Sequence, residues 1–209
     1  SVNYHMLVDL TRTFIPDMPV YPGDDAVKLY QTRNISEDGY NNYRIESGMH
    51  VGTHLDGPLH MLDGEPFISE ISVDRFFGRG VLIDVRGKSE INFEKSFEQK
   101  IFPGDIVLFL TGHNQMYGSE EYFENYPVLT EPLADFLVNS KVNMIGVDTP
   151  SPDMSPFIIH KRFLKANIFI IENLVNLETL SGIKKFEVYV FPLKIQADSA
   201  PVRVIARVL

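Results

Sequence analysis

The chain has 209 residues, 44% hydrophobic and 22% charged, the make-up of an ordinary globule with enough length to bury a sizeable core in one domain. A formal charge of −9 argues against nucleic acid or an anionic membrane as partner, and no apolar run approaches the roughly 20 residues of a spanning helix. The absence of cysteine excludes disulfides, thiolate ligands and a cysteine nucleophile.

The opening Ser-Val-Asn-Tyr-His-Met lacks the basic-then-apolar pattern of a signal peptide, so a cytoplasmic protein is expected. Residues 6–10 are a short apolar run and read as a strand. Ile15-Pro16-Asp17-Met18-Pro19-Val20-Tyr21-Pro22-Gly23-Asp24 holds three prolines and a glycine, which makes it a loop. Tyr21, between rigid neighbours, is either a ring presented to a ligand or one packed beneath the loop. Residues 26–32 and 43–47 read as strands separated by a polar turn at Glu37-Asp38-Gly39, and the second leads into the most informative stretch of the chain.

That stretch is Ser47-Gly48-Met49-His50-Val51-Gly52-Thr53-His54-Leu55-Asp56-Gly57-Pro58-Leu59-His60. Three of the six histidines of the chain fall in it, together with Asp56. Imidazole and carboxylate are the ligands that Zn²⁺, Mn²⁺ and Fe²⁺ take. In extended backbone, alternate residues share a face, so His50, Gly52, His54, Asp56, Pro58 and His60 would lie together, with Val51, Thr53, Leu55 and Leu59 opposite. Gly48, Gly52, Gly57 and Pro58 disfavour a helix. The expectation is a strand running into a tightly turned loop, with Gly52 leaving room for a metal or substrate. Spacing alone gives His50, His54 and Asp56 as three ligands, an open set that leaves a position for water.

Residues 61–67 are a turn-rich crossing, and 71–77 fit a short helix ended by Gly78. Residues 81–85 are a buried strand, 102–105 a turn and 106–110 a further strand. Thr111-Gly112-His113-Asn114 follows, where strand ends often carry function; His113 reads as a loop histidine rather than a site residue. Residues 129–140 make the clearest helix, with Thr130 as N-cap, Glu131 and Pro132 in the first turn and an apolar stripe of Leu133, Phe136 and Leu137. Residues 142–147 are a buried strand ending in the rigid loop Asp148-Thr149-Pro150-Ser151-Pro152. A helix over 157–166 carries His160. A buried strand over 168–171 ends at Glu172, a carboxylate that needs a partner or solvent. A helical turn at 176–180 and strands over 186–193 and 202–208 close the chain. About nine strands against three or four helices give an α/β or α+β protein. With no repeat or linker, residues 1–209 are one compact domain with a β-rich core flanked by a few helices.

His50-Val-Gly52-Thr53-His54-Leu-Asp56-Gly-Pro58-Leu-His60 resembles the cyclase / kynurenine-formamidase family of metal-dependent hydrolases at every fixed position of its pattern, His-x-Gly-Thr-His-x-Asp-x-Pro-x-His. Weaker likenesses follow in order: Asp9-Leu10-Thr11, Pro19-Val20-Tyr21-Pro22-Gly23-Asp24, Gly146-Val147-Asp148-Thr149-Pro150-Ser151, and the pair His160 and Glu172. The resemblance implies a second ion, with Asp56 bridging the two and His160 and Glu172 completing the second site, and hence two Zn²⁺, or Mn²⁺, per subunit. It implies His60 as the catalytic histidine; a further ligand, or a donor behind the ligands, is the other reading of that residue. It implies a swivelling β/β/α-type fold and a homodimer or homotetramer whose N-terminal loop can reach a neighbouring site. Where kynurenine formamidases usually place a tryptophan that stacks on substrate, this chain has Tyr21 as the substrate contact, and it contains no tryptophan at all. At 110 and 113, where the family often has Arg and Trp, it has Leu110 and His113.

A divalent ion lowers the pKa of its water from 15.7 to about 7 and polarises a carbonyl. An imidazole can take a proton from water and hand it to a leaving nitrogen. The site chemistry therefore points to attack of water on a carbonyl, and the resemblance implies hydrolysis of a small amide, such as the aryl formamide N-formylkynurenine. An isatin-like lactam hydrolase or cyclase is the alternative enzyme, and a metal or small-molecule binding module the alternative without catalysis.

Overall fold

The computed structural model describes residues 6–209. In chain order its strands are β1 (Leu7–Asp9), β2 (Lys28–Arg33), β3 (Asn42–Glu46), β4 (His54–Asp56), β5 (Phe77–Asp84) and β6 (Glu90–Ile91). They continue with β7 (Ile106–Leu110), β8 (Val128–Leu129), β9 (Met144–Val147), β10 (Phe169–Glu172), β11 (Phe186–Pro192) and β12 (Ser199–Val208). The helices are α1 (Ile35–Asp38), α2 (Glu131–Asn139) and α3 (Ile158–Lys165), joined by several short 3₁₀ turns.

Among the described residues, seven strands close into a barrel in the order β12-β11-β5-β7-β9-β10-β4, with β4 pairing back onto β12, and β1 extends the sheet beyond β12. The β5–β7–β9–β10 run is parallel, and the remaining pairs of the ring are antiparallel. Side chains alternate across the wall. Leu55, Leu108, Ile171, Val190 and Val204 belong to one buried cluster, which fills the barrel. Val107, Phe109, Ile145 and Ile170 belong to another, shared with Leu133 and Leu137 of α2 and Phe163 and Leu164 of α3. The parallel half is thus covered on both faces, which is why every residue of β7 is buried and its sequence is an unbroken apolar run.

β4 closes the ring. Its His54 lies opposite Glu172 of β10 and Pro201 of β12, and its Asp56 opposite Ile170 and Ser199. Because Leu55 points into the barrel, His54 and Asp56 point out of it, toward α3. The extended stretch is shorter than its sequence pattern predicts. Gly52 has φ of +61° and breaks the chain before β4, so His50 arrives from a bend and His60 from the 3₁₀ turn Pro58–His60. The six alternate residues do not share one strand face. Gly52 lines the cavity over the site, and a Cβ there would lie 2.9 Å from Cε of Met18.

Other departures are local. Residues 71–77 are not a helix but a 3₁₀ turn, Val73–Phe76, after which Phe77 starts β5. The residues Gly78, Arg79 and Gly80 hide that strand from propensity, but Phe77 and Arg79 pair with β11, and the Phe77 ring stacks on Tyr189 at 6.0 Å. The polar turn near 37–39 contains α1, capped by the Asn34 side chain, which accepts from the Glu37 N–H, and ended by Gly39 at φ +82°. Thr130 is the N-cap residue of α2, as its position predicts, but its hydroxyl donates to the Ile91 carbonyl and makes no capping hydrogen bond. No helix of the described residues is long and apolar enough to cross a membrane.

Candidate metal centre

Four elements converge outside the barrel seam. The bend before β4 supplies His50, β4 supplies His54 and Asp56, α3 supplies His160 and the end of β10 supplies Glu172. Asp56 is central and fully buried. Its Oδ1 lies 2.9 Å from Nδ1 of His50 and 3.4 Å from Nε2 of His54, while its Oδ2 lies 3.4 Å from Nε2 of His160. Glu172 reaches the same space, with Oε2 3.1 Å from Nε2 of His54 and Oε1 3.0 Å from Nε2 of His160. His60 stands at the edge, its ring centroid 4.0 Å from that of His50 and 6.1 Å from that of His160.

These donors fit a divalent cation. Nε2 of His54, both carboxylate oxygens of Asp56 and Oε1 of Glu172 are buried without a hydrogen-bond partner among the described residues. Buried polar atoms left this way cost about 1–3 kcal/mol each, so they call for an ion at their common focus. Ligand atoms of His50, His54 and Asp56 lie within 4.8 Å of one another, as do those of Asp56, His60 and His160.

Electrostatics points the same way. Burial alone would lower the His50 imidazole, but the Asp56 carboxylate and the hydrogen bond to Asp198 override it and push His50 up to about 9. Burial likewise works against charge on His54 and His160, and the surrounding carboxylates raise both well above the usual histidine range. Burial would raise Asp56, but the charges of His54 and His50 hold it well below the usual carboxylate range. Such a nest of protons and negative charge is the arrangement that a divalent cation could occupy in place of the protons.

The sequence pattern does not reveal the residues that fix the imidazoles. Nδ1 of His54 donates to the Gly52 carbonyl at 2.8 Å, turning Nε2 toward the carboxylates. Oδ1 of Asp153 meets Nδ1 of His160 at 2.6 Å, while its Oδ2 accepts from the N–H groups of Ile159 and His160, so one carboxylate caps α3 and orients the ring. Asp198, just before β12, pairs with Nε2 of His50 at 2.7 Å and Nδ1 of His60 at 3.3 Å. These hydrogen bonds hold the Asp198 carboxyl well below the usual carboxylate range. Asp198 stands near no recognisable motif, whereas Asp153 directly follows the loop Asp148-Thr149-Pro150-Ser151-Pro152 and precedes the helical N–H it binds by six residues.

A cavity of about 230 Å³ opens onto the centre, lined by His50, His60, His160 and Glu172 on its floor and by Tyr21, Met61, Phe123 and Phe157 on its walls. Tyr21 meets Phe123 and Phe157 edge-on, with ring centroids 5.8 Å and 6.5 Å away. It therefore faces the space a ligand would fill rather than lying beneath its loop. Phe157 holds a left-handed backbone at φ +58°, a strained choice for a bulky residue and one that places its ring edge-on to His160 at 5.7 Å. His113 is not in this cavity: its Nε2 meets the Tyr122 carbonyl and its ring stacks on Tyr122. Thr111 and Gly112 also stay outside, their N–H groups bound to the Asp148 carboxylate.

The family profile described as "Putative cyclase" matches residues 8–154. An uncharacterized protein of Methanocaldococcus jannaschii is 35% identical over 205 residues, covering 96% of this chain and 98% of that one. Kynurenine formamidase of Bacillus cereus is 28% identical over 207 residues, covering 96% of each. Among solved structures, isatin hydrolase A from Ralstonia solanacearum superposes with a TM-score of 0.88 at 24% identity, over 98% of this chain and 92% of that one. A structure described as a predicted metal-dependent hydrolase from Bacillus stearothermophilus gives a TM-score of 0.79 at 25% identity, over 99% and 100%. The profile matches well over half of the chain and the relatives nearly all of it, and the chain belongs to the cyclase family.

Proposed function

We propose that this protein is a metal-dependent amidohydrolase that cleaves the C–N bond of a small aryl formamide, with N-formylkynurenine as the reference substrate. The observation that carries the reading is the division of Asp56, one oxygen toward His50 and His54 and the other toward His160, with Glu172 beside it. That division suits two ions bridged by one carboxylate, Zn²⁺ or Mn²⁺ by ligand chemistry. His50, His54 and Asp56 would hold one ion, and Asp56, His160 and Glu172 the other. Bound there, divalent metal supplies a low-pKa water and a Lewis acid for the carbonyl.

The side chains of the chain do the rest. His60 lies at the mouth of the centre, where it accepts the proton of the attacking water and delivers it to the departing nitrogen. Tyr21, Phe123 and Phe157 hold an aromatic acyl or leaving group edge-on and exclude water from it.

The test is turnover of a panel comprising N-formylkynurenine, formanilide and isatin by protein reconstituted with Zn²⁺ or Mn²⁺. His60→Asn should lower kcat by about 10²–10⁴-fold while leaving metal content unchanged. Wild-type kcat in that variant would remove His60 from the reaction, and failure of every amide would sink the reading. Preference for isatin over the formamides would move the substrate to cyclic amides, a second reading favoured by Tyr21 at the position where formamidases carry tryptophan. A homo-oligomer, dimer or tetramer, belongs to the same proposal. Its support is the β2–β3 ribbon, which leaves Tyr30, Tyr43 and Ile45 exposed; sedimentation of the loaded protein measures it.

A further inference from the structure

The three buried-site imidazoles each turn one nitrogen toward Asp56 or Glu172 and the other toward an acceptor. For His54 that acceptor is the Gly52 carbonyl, and for His160 it is Asp153. For His50 it is Oδ2 of Asp198, at 2.7 Å from Nε2. Asp198 differs from the other two because the same Oδ2 also lies 3.3 Å from Nδ1 of His60. It joins a ring of the candidate metal site to the ring assigned to proton transfer.

We propose that Asp198 is a positioning residue that sets the tautomers of His50 and His60 together through one carboxylate oxygen. The inference rests on the reaction proposed above only for the role of His60. For Oδ2 to accept from both rings, His50 carries its proton on Nε2 and His60 carries its proton on Nδ1. Once an ion replaces the second proton of His50, its lone pair sits on Nδ1, the atom 2.9 Å from Asp56 and facing the ion site. The lone pair of His60 sits on Nε2, free to accept a proton. Any rotation of the carboxylate away from one ring also releases the other, and the near-parallel rings, 4.0 Å between centroids and tilted by 36°, leave them little other freedom.

Backbone holds the carboxylate in place. The Asp198 carbonyl accepts from the Gly57 N–H at 3.2 Å, and the next residue, Ser199, lies opposite Asp56 across the β12–β4 ladder. A Cβ at position 57 would stand 2.6 Å from the Asp198 carbonyl oxygen and 2.8 Å from Cδ1 of Ile68, so only glycine permits this approach. The two N–H groups of Ile68 and Ser69 bind the carbonyls of Ala197 and Ile195, tying down the segment that leads into Asp198.

Asp198 as a metal ligand is the competing assignment, since ligand atoms of His50, His60 and Asp198 also lie within 4.8 Å of one another. Asp198→Asn and Asp198→Ala, loaded with Zn²⁺, separate the two. Four quantities are read: zinc per chain, zinc affinity against a chromophoric chelator, the downfield ring N–H proton resonances, and kcat and KM for whichever amide the wild type turns over. A positioning role predicts unchanged zinc content, affinity weakened about 10–100-fold, and kcat lowered by a similar factor with KM within about twofold. The hydrogen-bonded N–H resonances should disappear in Asp198→Ala. Asp198→Asn, whose amide oxygen still accepts, should retain more of all three. Loss of one zinc per chain in both variants would overturn the proposal in favour of a ligand, and wild-type affinity and resonances in both would overturn it in favour of a bystander. If no amide is hydrolysed by the wild type, the reaction assigned above fails, while zinc affinity and the N–H resonances still decide the role of Asp198.

Discussion

His50 shows how protons and metal compete for this centre. Its carboxylate neighbours, Asp56 and Asp198, outweigh the effect of burial and raise it to about 9 in the metal-free protein, against 6.5 for an unperturbed histidine. A histidine with a raised folded pKa stabilises the fold fully below 6.5, and that contribution disappears as pH rises through 9. The chelated protein should therefore melt at progressively lower temperature from pH 6.5 to 9. Metal must displace the same protons, so zinc affinity should rise with pH over that window, and the ion's contribution to stability with it. Calorimetry of chelated and zinc-loaded samples checks both slopes; parallel slopes would mean that His50 does not exchange its proton for metal. At this scale, the sequence showed His50, His54 and Asp56 because glycines and a two-residue period set them apart. It did not show Asp198, which reaches His50 across a tertiary contact from 148 residues away, nor Asp153, which meets His160 from seven residues away through a turn of no fixed pattern.

Among elements, β4 is the one on which the site depends. Three residues long, it owes its place to pairing on both edges rather than to its own propensity. Gly57 ends it in contact with the chain before β12. Gly57→Ala should push the Asp198 backbone outward, costing about 1–3 kcal/mol by overpacking and weakening zinc binding although every donor remains. Chemical denaturation and a chelator competition measure the two effects; wild-type values for both would show that the close approach at 57 is not needed. Strands and helices with unbroken apolar patterns, β7, β9, β10, α2 and α3, were legible in the sequence because their burial is two-sided or striped. β5 was shortened in the reading by Gly78, Arg79 and Gly80, and α1 was lost in a polar turn. In both places a pairing or a cap supplies what propensity does not.

For the whole molecule, the barrel explains why a fold class could be read from the chain but a closed ring could not. Periodicity reports which face a strand buries, not which strand lies beside it. The centre sits outside the wall, between the seam and α3, so an ion there clamps strand, strand and helix. Metal bound at 100 times its Kd adds about 2.7 kcal/mol, and a domain of this size shifts by about 2–4 °C per kcal/mol. Removing it with a chelator near neutral pH should lower the melting temperature by roughly 5–10 °C, read by circular dichroism; an unchanged midpoint would separate metal from fold.

The pairing of β4 with β12 has a bearing on the order of assembly. Residues 54–56 leave the ribosome well before one of their two neighbours, the segment 199–201. Until that late segment arrives, the early histidine and aspartate have nothing to lie against on one side, and the carboxylate at 198 is missing altogether. Residues 198–201 must therefore be made before a cation finds the full set of proposed donors, and a chain cut before residue 198 would carry most of the motif yet keep little hold on metal.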